Sequence, residues 1–349
     1  MPDPLPRGTL PALLVTRAAS RRRAALIVSG SDRASFLTRV MSGDLPKQEG
    51  AAPTALLGPR GNVISAGIAT VLRERILLET DPPRGSALLW GLDRYRIADD
   101  VALTSEDPAD TGGRGVRTTV EGPGAAEALD RALLILAGAA PAPSPNGSRS
   151  VRDLAPGGVR ILAEDATGFA CVRRDFRPWK AYTVLSGPGA AGAARIAAIE
   201  AQLRRTGARF LSEAEADYLR IAAGEPAWGA EMGGRSLPLG CGLAAHVRLG
   251  KGCYIGQEYV ARQAHRGRIP RLLRVLECAA GDAPAPGARV AADADGRPVG
   301  EVTSSAPAPP GFPTPAFALA ILAAGVAPGA AVTIGAGGPA PVAATVRNP

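Results

Sequence analysis

The sequence predicts an α+β protein that ends in a small β-barrel. Two observations predict it. Up to about residue 268, strand-like runs and hairpin turns are mixed with separate segments of helical period, an order that fits α+β rather than an alternating doubly wound sheet. Beyond about Arg268, short β-like runs (Leu272 to Leu276, Val299 to Ser304, Phe317 to Leu322, Ala331 to Ile334) alternate with Gly/Pro turns. At 349 residues the chain is long enough for two or three domains.

Ala24 to Ser29 reads as a buried strand closed by Gly30. Ser31 or Asp32 is then placed to cap a helix carrying Phe36, Leu37, Val40 and Met41 on one face. Thr54 to Leu57, Asn62 to Leu72 and Arg75 to Thr80 follow as strands, with Pro59-Arg60-Gly61 as the first turn. Leu88, Leu89, Leu92 and Tyr95 recur at helical spacing, and a further helix spans about Ala125 to Ala137. The run from Ala140 to Gly147 is too rich in proline for helix or central strand and reads as an exposed loop. Ile196, Ile199 and Leu203 mark a helix stopped at Gly207. Ser212-Glu-Ala-Glu215 is a capping box opening a helix through Tyr218, Leu219 and Ile221, ended by Gly224 and Pro226. These elements divide the chain at about 1–118, 119–268 and 269–349.

The net charge of +8 comes almost wholly from arginine, lysine occurring only at positions 47, 180 and 251. That balance admits an anionic partner, but the longest basic run, Arg21 to Arg23, is short enough to be a solvated face. Four cysteines in a chain this long are no disulfide scaffold, and none of their spacings is CxxC. His246 and His265 with Cys241 and Cys253 match no standard metal pattern, so no metal site is expected. Without an apolar leader at Met1 to Ala19 or a long uninterrupted apolar run, the expectation is a cytoplasmic protein.

Chemistry concentrates in one window. Lys, Cys, Tyr, Gln and His together make about 5% of the chain, yet residues 251–265 hold seven of them: Lys251, Cys253, Tyr254, Gln257, Tyr259, Gln263 and His265. Gly252 and Gly256 bracket Cys253, which allows a sharp turn or close approach to a ligand. Lys251, two positions before the thiol, favours thiolate. Gln257 and Glu258 offer groups that orient a ring-bearing ligand, and Arg262, Arg266, Arg268 and Arg271 form a basic strip suited to carboxylates or phosphates. The bland alternatives are an inert buried thiol, a surface lysine, a solvated arginine face and a core tryptophan at Trp228.

Lys251-Gly-Cys-Tyr-Ile-Gly-Gln-Glu258, followed by Val260-Ala-Arg262 and His265-Arg-Gly267, resembles the signature of the YgfZ family, relatives of the glycine-cleavage T-protein. Tyr218-Leu-Arg-Ile-Ala-Ala-Gly224 with Pro226 resembles a second family block. Gly30 to Leu37, Ala55 to Gly61 and Leu92 to Arg96 resemble its N-terminal blocks, so the likeness runs from about residue 24 to 276. It implies two ferredoxin-like, T-protein-like α+β units around a central channel plus the C-terminal barrel. It also implies tetrahydrofolate as cofactor and a role with iron–sulfur assembly proteins or iron–sulfur client enzymes, affecting tRNA modification. Carried onto this chain, the functional thiol is Cys253 with Lys251 beside it. The folate contacts fall on Tyr254, Gly256, Gln257, Glu258, Arg262, Arg220 and Trp228.

The departures bear on mechanism. The aminomethyltransferase's tandem acids after the first hairpin are replaced by Gly61-Asn-Val-Ile-Ser-Ala66, and the acid of its Arg-Leu-Glu-Ala-Gly block by Ala222. Leu237 to Leu243 lacks the acid and asparagine usual in the YgfZ pattern, and its spacing to Lys251 is about two residues short. Without those carboxylates aminomethyl transfer has no evident proton carrier. Two other readings stand beside a folate-binding accessory factor: a folate-dependent one-carbon transferase, and a direct tRNA-binding protein supported by net charge alone.

Overall fold

The computed structural model describes residues 13–17, 23–105, 116–137, 150–163, 169–174, 179–187, 190–265, 269–279, 283–292, 296–312, 315–335 and 340–349. These form a mixed α+β protein with six α-helices among the described residues and a closed six-stranded barrel. Two compact units result. One joins the hairpin tip Leu57–Ile64 to Ala214–Pro349, and the other holds described residues 13–56 and Ser65–Glu213.

The second of these units contains two sheets. β2 (Ala24–Ser29), β3 (Gly50–Leu57), β4 (Val63–Val71), β5 (Ile76–Thr80) and β6 (Ala102–Ser105) make a five-stranded sheet in the order β3-β4-β5-β2-β6. β1 (Leu14–Arg17), β7 (Val116–Glu121), β8 (Val159–Ala163), β9 (Phe169–Arg173), β10 (Ala181–Ser186) and β11 (Arg209–Phe210) make a six-stranded sheet in the order β11-β1-β7-β10-β9-β8. α1 (Arg33–Val40) buries Phe36, Leu37 and Val40, the face its spacing predicts. Its expected cap is absent, because the Asp32 carboxylate accepts from the Asp100 amide at 2.9 Å instead of from its own first turn. α2 (Gly85–Asp93) ends before Tyr95. α3 (Ala125–Ala137) and α4 (Ala190–Arg205) pack Leu129, Leu133, Ile196, Ile199 and Leu203 against Val120, Cys171, Tyr182 and Val184 of the six-stranded sheet. The sheet's other face meets the five-stranded sheet through Val159, Ala170, Val172 and Leu185 against Ala51, Leu72, Ile68 and Leu77. The proline-rich run 140–147 lies outside the described residues.

A buried charge sits at this second contact. The Glu79 carboxylate, 5% exposed, pairs with the guanidiniums of Arg117 and Arg174, and Arg117 also donates to the Arg23 carbonyl at 2.7 Å. Burial by itself raises the Glu79 pKa, but Arg174 and Arg117 outweigh it and hold the group down at about 2.

In the other unit, α5 (Glu213–Ala222) and α6 (Gln257–His265) accompany the barrel. Its strands are β12 (Arg271–Cys278), β13 (Arg289–Ala292), β14 (Pro298–Ala306), β15 (Ala316–Ala323), β16 (Ala331–Ile334) and β17 (Val342–Arg347), closed in the order β12-β15-β14-β13-β16-β17. Val290, Val302, Ala318, Ala320, Leu322, Val332, Ile334 and Val346 fill its interior. Closure leaves no free edge, so an Ala-rich sheet is kept from pairing with other chains.

Replacing Glu79 by Gln leaves two buried guanidiniums without their counter-charge and is expected to cost about 3–5 kcal/mol at neutral pH. Because the folded pKa lies below the ordinary 4.5, the stabilisation is complete above 4.5 and is lost as pH falls toward 2. Urea unfolding of wild type and Glu79→Gln at neutral pH and near pH 3 checks this, and a difference undiminished near pH 3 refutes it.

Candidate functional site

The signature begins in irregular chain and runs into α6, so the rare residues of the 251–265 window lie on a turn and one helix. Cys253 at the turn is exposed, whereas Cys171, Cys241 and Cys278 are buried, and all four are free thiols. Burial pushes the Cys171 thiol far up, Cys241 up to about 12 and Cys278 up to about 11, which keeps these three protonated and inert.

Tyr254 anchors the turn. Its ring is buried, and the Lys251 ammonium lies 5.5 Å from the ring centroid, within cation–π range. Burial raises the phenol's pKa. Gln257 locks the same turn, its side-chain Oε1 accepting from the Tyr254 amide at 3.2 Å while its own amide donates to the Tyr254 carbonyl at 3.2 Å. Along α6, Glu258 and Arg262 pair at i,i+4, and the Arg262 guanidinium also stands 5.5 Å from the Tyr259 ring centroid. Glu258, Tyr259, Arg262 and His265 are exposed, while Val260 is buried. Arg266 and Arg268 lie outside the described residues.

The hairpin tip between β3 and β4 closes on itself through Gly58 N to Asn62 O and Gly61 N to Gly58 O, both 2.8 Å. It is tied to the 233–236 loop by Asn62 Nδ2 to Gly234 O at 3.0 Å and Val63 N to Ser236 O at 2.9 Å. The next loop, Leu237 to Leu243, is tied to the barrel by Leu273 N to Gly240 O at 2.9 Å.

Sequence reasoning missed the residue that organises this unit, Glu231. Its side chain is fully buried, and its two oxygens accept four hydrogen bonds. Oε2 takes the Ala227 amide at 2.8 Å and Arg220 Nη1 at 3.2 Å, and Oε1 takes Thr303 Oγ1 at 2.7 Å and Ser304 Oγ at 2.6 Å. Adjacent strand residues ordinarily point to opposite faces. Here a register shift between Val302 and Ser304 bulges β14 and lets Thr303 and Ser304 reach the same carboxylate. Arg220 is equally committed, donating to Asp217 at 2.6 Å and the Glu225 carbonyl at 2.8 Å, and its neighbouring acids outweigh burial to raise its pKa. Trp228 is half-buried in the short loop that Glu231 closes, bridged to Met232.

The structure thus brings Lys251, Cys253, Tyr254, Gly256, Gln257, Glu258 and Arg262 onto one turn and helix. Arg220 and Trp228 belong to the Glu231 cluster, where Arg220's guanidinium is spent on protein groups. Ala222 is buried in α5. Among the described residues no group of three or more His, Cys, Asp or Glu side chains is placed to hold a metal ion, and no helix is long and apolar enough to cross a membrane.

Glu231→Ala is expected to lower stability by about 3–5 kcal/mol, since it leaves four donors, one of them charged, without their acceptor, whereas Thr303→Val removes one of the four and costs about 1.5–3 kcal/mol. Urea midpoints of the two variants check the ranking, and equal losses contradict it.

No family model matches the chain, and no curated protein matches it. Thirty-four solved chains match in structure. One is the crystal structure of the glycine cleavage system aminomethyltransferase T from Bartonella henselae, with a TM-score of 0.74 at 20% identity, covering 97% of this chain and 86% of that one. With the closed barrel and the mixed sheets in place, this chain has the fold of the glycine-cleavage T-protein.

Proposed function

We propose that this protein is a tetrahydrofolate-binding accessory factor for the assembly or repair of iron–sulfur proteins, through which it affects iron–sulfur-dependent tRNA modification. Cys253 is its functional thiol and Lys251, two positions before it, the cation of the same turn. The observation that carries the reading is the exposure of Cys253 on a turn fixed by Tyr254 and Gln257, in a chain whose other three thiols are buried. Tyr254, Gly256, Gln257, Glu258, Arg262 and Trp228 supply the folate contacts, and Arg220 acts by holding the Trp228 loop through Glu231. The three-domain division at 118 and 268 and a cytoplasmic location belong to the same proposal.

A one-carbon transferase would need a carboxyl group free to carry protons. The buried Glu79 is held by two arginines, and Glu231 is saturated by four donors, so neither is available. Direct tRNA binding gains no support from the site, where Trp228 is half-buried and the Tyr259 ring faces Arg262.

Titration of the purified protein with tetrahydrofolate is expected to give saturable binding, and its absence overturns the folate assignment. Cys253→Ala is expected to fold as wild type and to fail in complementing an iron–sulfur-deficient strain; full rescue removes this thiol from the mechanism. Because the other thiols are buried, iodoacetamide reports on Cys253 alone. Lys251→Ala is expected to slow that alkylation, and an unchanged rate removes the lysine from the functional role.

A further inference from the structure

The turn bearing Cys253 touches the hairpin tip through two glycines that lie far apart in sequence. Gly61 and Gly256 both adopt left-handed backbone, with φ of +72° and +78°. A Cβ at Gly256 would lie 2.5 Å from the Gly58 carbonyl oxygen and 2.9 Å from Gly61 Cα, so the two backbones are in direct van der Waals contact. A Cβ at Gly61 would lie 2.8 Å from Tyr259 Cβ on the first turn of α6. All three of these partners are backbone atoms or a Cβ, none able to swing aside as a long side chain does. By contrast, a Cβ at Gly250 or Gly252, in the same loop, would meet nothing within 4 Å. The chain around the cysteine is open on one side and locked on the other.

We propose that Gly61 and Gly256 form a close-packed latch through which the hairpin tip positions the signature turn. Both are positioning residues: they set the start of α6, and through Gln257 and Tyr254 the place from which Cys253 projects. The mechanical path is short. The hairpin is stiffened by its two internal 2.8 Å hydrogen bonds and pinned by Asn62 to Gly234 O. It presses on Gly256, whose carbonyl accepts from the Val260 amide at 3.3 Å. The neighbouring Gln257 amide and side chain both bond Tyr254, the residue after the thiol. The inference rests on the proposed role of the signature turn for its functional meaning, while the latch itself is tested without folate.

Native-state hydrogen exchange tests it on Gly61→Ala, Gly256→Ala and Asn62→Ala, with Gly250→Ala as the control. In Gly61→Ala and Gly256→Ala, exchange at the amides of Tyr254, Gln257 and Val260 is expected to rise about tenfold, while that of barrel amides such as Leu273 and Val346 stays as in wild type. Asn62→Ala, which adds no strain, gives a smaller rise at the same amides and serves where an alanine at 61 or 256 prevents folding. Gly250→Ala leaves them unchanged. Exchange at Tyr254, Gln257 and Val260 equal to wild type in every folded variant, or a rise shared equally by the barrel, overturns the latch. Tetrahydrofolate titration of the same proteins separates the two claims. Loss of affinity confined to the latch variants supports both. A wild type that binds no folate, beside variants with the local exchange rise, removes the folate reading and leaves the latch standing.

Discussion

One buried carboxylate sets the internal order of the barrel unit. Glu231 carries a charge-bearing group into a site with no exposure, where it is tolerated only if every lone pair is met. Its four donors come from three places: a guanidinium on α5, an amide in the 225–231 loop, and two hydroxyls on β14. The donors come from three elements, so the end of α5, the Trp228 loop and the barrel wall acquire one relative placement. The bulge in β14 follows from the same requirement, because a regular strand turns only one of Thr303 and Ser304 inward.

Glu79 and Glu121 follow the same rule, and this bears on chemistry. Glu79 is neutralised by Arg117 and Arg174, and Glu121 accepts from Thr16 Oγ1 at 3.1 Å and Trp179 Nε1 at 2.8 Å. The Glu79 carboxylate, held down at about 2, is a poor proton carrier near neutrality, since catalysis favours a pKa close to the working pH. The exposed Glu258 pairs with Arg262 on the surface.

Much of the fold was legible from periodicity. The strands around Leu26, Ala69 and Leu78, the helix at Ala125–Ala137, and four of the six barrel strands were read from apolar runs and turn residues. The six-stranded sheet was not. β10 is buried at every position, so Ala181 to Ser186 has no alternation, and Val116 to Glu121 is mostly polar because one face carries Arg117, Thr119 and Glu121 and the other carries Thr118 beside Val120. β13 and β17 are short and alanine-rich, and their sequences resemble the surrounding turns. α6 escaped notice because it buries only Val260 and shows no apolar stripe.

The candidate site divides along the same line. Rare residue types gave away 251–265 because a chain biased toward Arg, Ala, Gly and Pro keeps Lys, Cys, Tyr and Gln together only under some constraint. Glu231 carried no such mark, being one of 32 acids, with hydroxyl partners 72 and 73 residues away. Gly256 is the instructive intermediate case. Its type correctly announced a close backbone approach, but pattern alone does not say what approaches, and the structure brings a glycine 195 positions earlier in the chain against it. A glycine beside a reactive group therefore reads ambiguously from sequence. It can make room for a ligand or for the protein's own backbone, and only the second use leaves the turn rigid before any ligand arrives.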